Sequence, residues 1–114
     1  MSTSETDLAA LSEELLTRAG DAKSGRATHV FRAAPEGVLS QVLLVLLAGR
    51  ELSEHENPGE AFLQVLRGRV RLSAGDREWT LGQDGHVTIP QRRHALTADE
   101  DSIVLLTVAR VGQR

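Results

Sequence analysis

From residue 27 onward the chain is a series of short apolar runs, each broken within a few positions by turn residues. That pattern constrains the fold more than any other feature. The longest run, Val42 to Ala48, is too short to span a bilayer and suits a buried strand. The breaks are Pro35-Glu36-Gly37, Asn57-Pro58-Gly59, Arg67-Gly68, Ala74-Gly75-Asp76, Gly82-Gln83-Asp84-Gly85 and Pro90-Gln91. Between them the spacing predicts strands at 27–32, 38–48, 50–56, 61–67, 69–74, 77–81, 86–89, 94–98 and 102–110. Many short strands with tight turns predict an all-β sandwich or barrel.

Alternation predicts which side chains face the core. Leu63 and Val65 point inward with Gln64 outward, and Val70 and Leu72 lie opposite Arg69 and Arg71. Phe62 and Leu66 then fall on the outer face, where they need cover from another element or a second subunit. Arg67, Arg69 and Arg71 recur at every second residue and read as a solvated strand edge, where charge discourages edge pairing.

Residues 5–19 carry a different period. Leu8, Leu11, Leu15 and Leu16 recur at helical spacing, with Thr6 or Asp7 placed to cap the start and Gly20 placed to end the helix. A helix this short does not stand alone in water. Its leucine stripe must cover the outer face of a sheet or reach a second subunit. The chain thus divides into an N-terminal helix and linker, 1–26, and a β-barrel, 27–114.

Composition narrows the function. With 114 residues and 40% apolar content the chain can build one core, and 3% aromatic content leaves that core to aliphatic side chains. There is no cysteine, which removes thiolate chemistry. A net charge of −3 argues against nucleic acid. No apolar run reaches membrane-spanning length, and the acidic, polar start does not resemble a signal peptide. A cytoplasmic protein with no membrane partner is the expectation. No nucleophile with its base and no phosphate-binding glycine loop is recognisable.

The densest group of metal-ligand residue types lies between Gly49 and Gly68. Gly49 is followed by five residues and His55, then Asn57, Glu60, Ala61 and, after six intervening residues, Gly68. This frame resembles the first motif of the cupin family, in which a second His, a Glu and a closing Gly follow the first His. Asn57 stands in the second His slot and Ala61 in the Glu slot, with Glu60 one place early. The segment from Gly82 through Pro90 to His94 resembles the second cupin motif, shortened by about one residue. Its His slot matches His94 and its Asn slot Ala98. The resemblance spans about residues 27–110 and implies a jelly-roll barrel, commonly a homodimer.

It also implies a site. The matching set is His55, Asn57 and His94, with Glu60 as a further candidate ligand and Arg92, beside His94, as a candidate contact for a carboxylate or phosphate. Three readings stay open. In the first, a small-molecule ligand binds in the barrel and the two histidines are neutral, hydrogen-bonded remnants of a metal site. In the second, a divalent first-row metal (Zn, Fe, Mn, Ni or Cu) sits on His55 and His94, with Asn57, Glu60 or water completing its shell, as in dioxygenase, isomerase or decarboxylase members of the family. In the third, the barrel is a packed core in a regulatory or scaffolding dimer. His29 has no partner in sequence, and His86 alternates with inward Val87 and Ile89, so it is expected to face outward.

Overall fold

The computed structural model describes residues 5–55 and 59–109, except for the side chains of residues 54 and 55. Among these are one helix, α1 (Leu8–Asp21), and nine strands. They are β1 (Arg26–Ala33), β2 (Leu39–Leu46), β3 (Glu51–His55), β4 (Ala61–Arg67), β5 (Val70–Ala74), β6 (Arg77–Leu81), β7 (His86–Thr88), β8 (His94–Ala98) and β9 (Ser102–Ala109). Every strand expected from alternation is present, with ends shifted by a residue or two. The strands form two antiparallel sheets, ordered β1-β2-β9-β4-β7 and β3-β8-β5-β6. This is the jelly-roll arrangement of an all-β barrel.

The core between the sheets includes the predicted inward residues Leu63, Val65, Val70 and Leu72. Leu44, Leu46, Leu63 and Val65 of the larger sheet meet Val70, Leu72, Leu96 and Ala98 of the smaller. A second apolar layer lies on the outer face of the larger sheet. There Leu15 and Ala19 of α1 pack with Ala27, Leu43, Val45 and Ile103. This explains the unbroken apolar run of β2. Leu44 and Leu46 face the barrel, and Leu43 and Val45 face the helix, so neither side of the strand is wet. The helix is therefore a lid on the sheet.

Asp7 is the N-cap, its carboxylate accepting the Ala10 N–H at 3.1 Å. The helix does not stop at Gly20. It runs on to Asp21, and the extended Ala22 closes it with an N–H to the Ala19 carbonyl at 3.2 Å. Ala19 is fully buried against the sheet, and that anchor outweighs the roughly 1 kcal/mol that a glycine costs inside a helix. Among the described residues no helix is long and apolar enough to cross a membrane.

The arginine series is placed differently from expectation. β5 lies between β8 and β6, so Arg71 stands on the outer face of an interior strand rather than at an edge. Its Nε donates to Asp99 at 2.9 Å and its Nη1 is 3.6 Å from Glu78. Arg69 is 4.0 Å from Asp99 and Arg67 is 3.8 Å from Glu13 of the helix. Periodicity gives the face a side chain occupies but not which strands lie beside it. The hydrogen bond and charge of Asp99 hold the Arg71 guanidinium above the ordinary arginine range.

Phe62 and Leu66 share the outer face but meet different fates. Leu66 packs under α1, while Phe62 stays 40% exposed and stacks obliquely on His86 with ring centroids 5.5 Å apart. The β4–β5 turn is fixed by Gly68, whose φ is +98°. Fully buried Ser102 sits beside it, accepting the Arg69 N–H at 3.0 Å and donating to the Glu100 carbonyl at 2.7 Å.

Candidate functional site

The site begins at one end of the smaller sheet. The β3–β8 ladder pairs His55 with His94 residue to residue, after an irregularity beyond Leu52. His94 opens β8 and is only 2% exposed. Its Nδ1 lies 2.8 Å from the Arg92 carbonyl. A carbonyl only accepts, so Nδ1 donates its proton to it, and Nε2 is buried.

His94 borders a partly open cavity of about 30 Å³. The cavity's other described walls are aliphatic side chains of both sheets, among them Leu52, Leu63, Leu72, Leu96 and Leu106. The imidazole is thus the one polar side chain among the described lining residues. One water occupies roughly 10–15 Å³ on such a measure, so the space holds a few non-hydrogen atoms. It is far smaller than the roughly 300 Å³ of an ordinary drug-sized pocket.

The other expected site residues are distributed unevenly. His55 is placed by its backbone pairing, and its side chain lies outside the described residues, as does Asn57 altogether. Ala61 faces the core at 1% exposure, so a methyl group stands where the family frame has a carboxylate. Glu60, beside it, is exposed, and its backbone carbonyl accepts the Ala109 N–H at 2.9 Å. Strand alternation turns it away from the side of the sheet that Ala61 faces. Among the described residues no three histidine, aspartate or glutamate side chains converge. The described donors alone do not fit a three- or four-ligand metal centre. His29 and His86 are exposed, and His86 lies on the outer face against Phe62.

Arg92 is exposed on the turn before β8, and its guanidinium lies against Gly75, where any Cβ would collide with it. Arg77 is a residue that the sequence reading passed over. It pairs with Ala74 across the β5–β6 hairpin, and its guanidinium lies 5.0 Å from the Trp79 ring centroid. Trp79 packs on the barrel core, so both side chains sit on the inner face of β6. The signal available in sequence was parity: 77, 79 and 81 share a face, and Leu81 is buried in the core.

Together these features define a small double-sheet barrel with a buried histidine, His94, at the end of an apolar interior. This is the cupin fold, in its small RmlC-like form. No protein-family model matches the chain, and no curated protein matches it by sequence. Similarity appears in solved structures. A conserved protein of unknown function from Streptococcus pyogenes superposes with a TM-score of 0.70 at 20% identity, covering 81% of this chain and 80% of that one. A cupin superfamily protein from Desulfitobacterium hafniense gives 0.69 at 16% identity, covering 75% and 77%. The DMSP lyase DddQ from Ruegeria pomeroyi gives 0.65 at 20% identity, covering 78% of this chain and 49% of that chain.

Proposed function

We propose that this chain is a small-molecule-binding cupin whose site is the His94 end of the barrel. The observation that carries the reading is the buried imidazole of His94, the one polar side chain among the described walls of an apolar cavity. A site of this kind uses apolar contact for affinity and a few fixed polar groups for orientation. In this reading the His94 imidazole makes the polar contact to the ligand, and the Arg92 carbonyl orients the ring. Arg92 is the candidate cation at the rim, while His55 and Asn57 stay candidates on the family frame alone, their side chains lying outside the described residues. The cavity volume means that the buried part of the ligand is only a few atoms long.

The test is an NMR titration of ¹⁵N-histidine-labelled protein with small carboxylates, amides and alcohols. The reading expects at least one class to shift the His94 imidazole nitrogens saturably, with the effect lost in His94→Ala. If no class moves those resonances, the reading fails.

The pairing of His55 with His94 favours a second reading, a metal-dependent enzyme. Two imidazoles alone bind a first-row divalent metal weakly, and Ala61 removes a carboxylate donor, so the expected metal content is substoichiometric. Metal analysis of protein purified without a histidine tag decides between the two. Near-unit occupancy lost in both His55→Ala and His94→Ala would favour the enzyme. The likeness to a lyase supports that alternative only through the fold. A homodimer belongs to either reading, because Leu39 at 58% and Phe62 at 40% exposure leave part of the outer sheet face apolar and uncovered.

A further inference from the structure

The smaller sheet brings three chemically distinct side chains into one row. Ser73 pairs with Ala95 in the β5–β8 ladder, so the next step of that register sets Ala74 beside His94. Ala74 in turn pairs with Arg77. The preceding row, Leu96, Leu72 and Trp79, packs into the core, so the His94, Ala74 and Arg77 row lies on the inner face at the end of the sheet. His94 and Arg77 stand two strand spacings apart, about 10 Å. Only a methyl group lies between them.

Arg77 is held rather than paired. Its guanidinium rests over the Trp79 ring, and among the described residues no carboxylate pairs with it. Arg92 reaches the same hairpin from the other direction, lying on Gly75, and it too has no carboxylate partner among the described residues. Two exposed guanidinium groups therefore flank the β5–β6 turn, on the sheet whose inner face carries His94. Bidentate guanidinium contacts suit a planar carboxylate. The cavity beyond suits a short alkyl group.

We propose that Arg77 and Arg92 form an anion-recognising rim beside His94, and that the pocket takes a short aliphatic carboxylate. This rests on the small-molecule reading of the same site. It adds Arg77 to that site and fixes the ligand's charge. Ala74 is part of the arrangement, because a larger side chain there would fill the gap in the row.

The test uses the full chain with propionate, its neutral near-isostere propionamide, and inorganic phosphate. Two signals are followed: the His94 imidazole nitrogens by NMR and the fluorescence of Trp79, the chain's single tryptophan. Propionate should move both signals saturably, with propionamide about tenfold weaker or worse, as expected when charge-assisted bonds are lost. Arg77→Gln and Arg92→Gln should each remove most of that preference for the acid. Arg77→Lys should keep part of it, and Arg18→Gln, on the helix, should keep all of it. Thermal melts of each variant verify that it folds. Equal binding of propionate and propionamide, unchanged in Arg77→Gln, would overturn the carboxylate rim while leaving the pocket intact. Phosphate binding as tightly as propionate would overturn the alkyl part of the proposal. No response at His94 to any of the probes would overturn both this proposal and the reading on which it rests.

Discussion

Replacing Gly68 with alanine tests how the barrel fixes its β4–β5 turn. Gly68 has φ of +98°, a region that disfavours any side chain by about 1–2 kcal/mol. A Cβ there would also meet Ser102 Oγ and stand 2.5 Å from the Asp101 carbonyl oxygen and 2.7 Å from the Ser102 Cα. Two of those obstacles are backbone and cannot swing aside, so the turn must shift. The shift would disturb the buried Ser102 hydroxyl, which joins the Arg69 N–H to the Glu100 carbonyl. Each of those bonds is worth about 1 kcal/mol, and more if a buried partner is stranded. The sum is about 3–5 kcal/mol, a large share of a typical domain's stability. Gly49 is the internal control. Its φ is +81°, but nothing lies within 4 Å of its Cβ position, so Gly49→Ala should lose only the backbone contribution of about 1–2 kcal/mol. Urea denaturation followed by circular dichroism measures both. If the two variants fall within about 0.5 kcal/mol of each other, the Ser102 contact does not stabilise the turn and the reasoning is wrong.

Leu15→Ala removes a fully buried side chain between α1 and the outer sheet face, and should cost about 2–5 kcal/mol by the same assay; a loss below about 1 kcal/mol would mean that the helix is not anchored there. Asp99 raises the pKa of Arg71, so whatever stability that ion pair gives is present below the ordinary arginine range and lost only above the raised value. The unfolding free-energy difference between Arg71→Gln and the parent should therefore be flat between about pH 6 and 10, and a slope there would contradict the assignment. Light scattering should give a mass near twice 12.3 kDa, falling to one chain in Phe62→Glu; a parent that is already monomeric would defeat the dimer. Ala61→Glu should unfold at lower temperature in chelator, because it buries a carboxylate, and zinc should raise its melting temperature more than it raises the parent's. Equal zinc shifts would show that the frame around His55 and His94 no longer converges on one point.

The strands were legible because each keeps one rule, period two between turns, and because β2 breaks that rule for a reason the rule itself supplies. A strand apolar at 43, 44, 45 and 46 must be covered on both faces, and the leucine-striped helix is the cover. What sequence could not show was adjacency. The series Arg67, Arg69 and Arg71 looks the same on an edge strand as on an interior one, and its place is set by β8 crossing over to pair with β5. The helix end was missed for a related reason. Gly20 is a stop signal locally, but Ala19 is buried against a distant part of the chain, and that long-range contact carries the helix on to Asp21.

The same distinction separates the visible half of the site from the hidden half. His94 was visible because motif spacing places it at the start of a strand, and its burial follows from that position. Arg77 was hidden because on its own hairpin it looks like one more solvated arginine beside a turn. It joins the proposed rim only because β5 lies between β8 and β6, which brings its face of β6 into line with that of His94. The size of the pocket was hidden too, since leucines that line a cavity and leucines that fill one have the same pattern. In the proposed binding reading, a cavity of about 30 Å³ beside His94 leaves most of the recognition to the rim. The polar groups that decide what binds should then be those at the strand ends, His94, Arg92 and Arg77, rather than side chains deeper in the barrel.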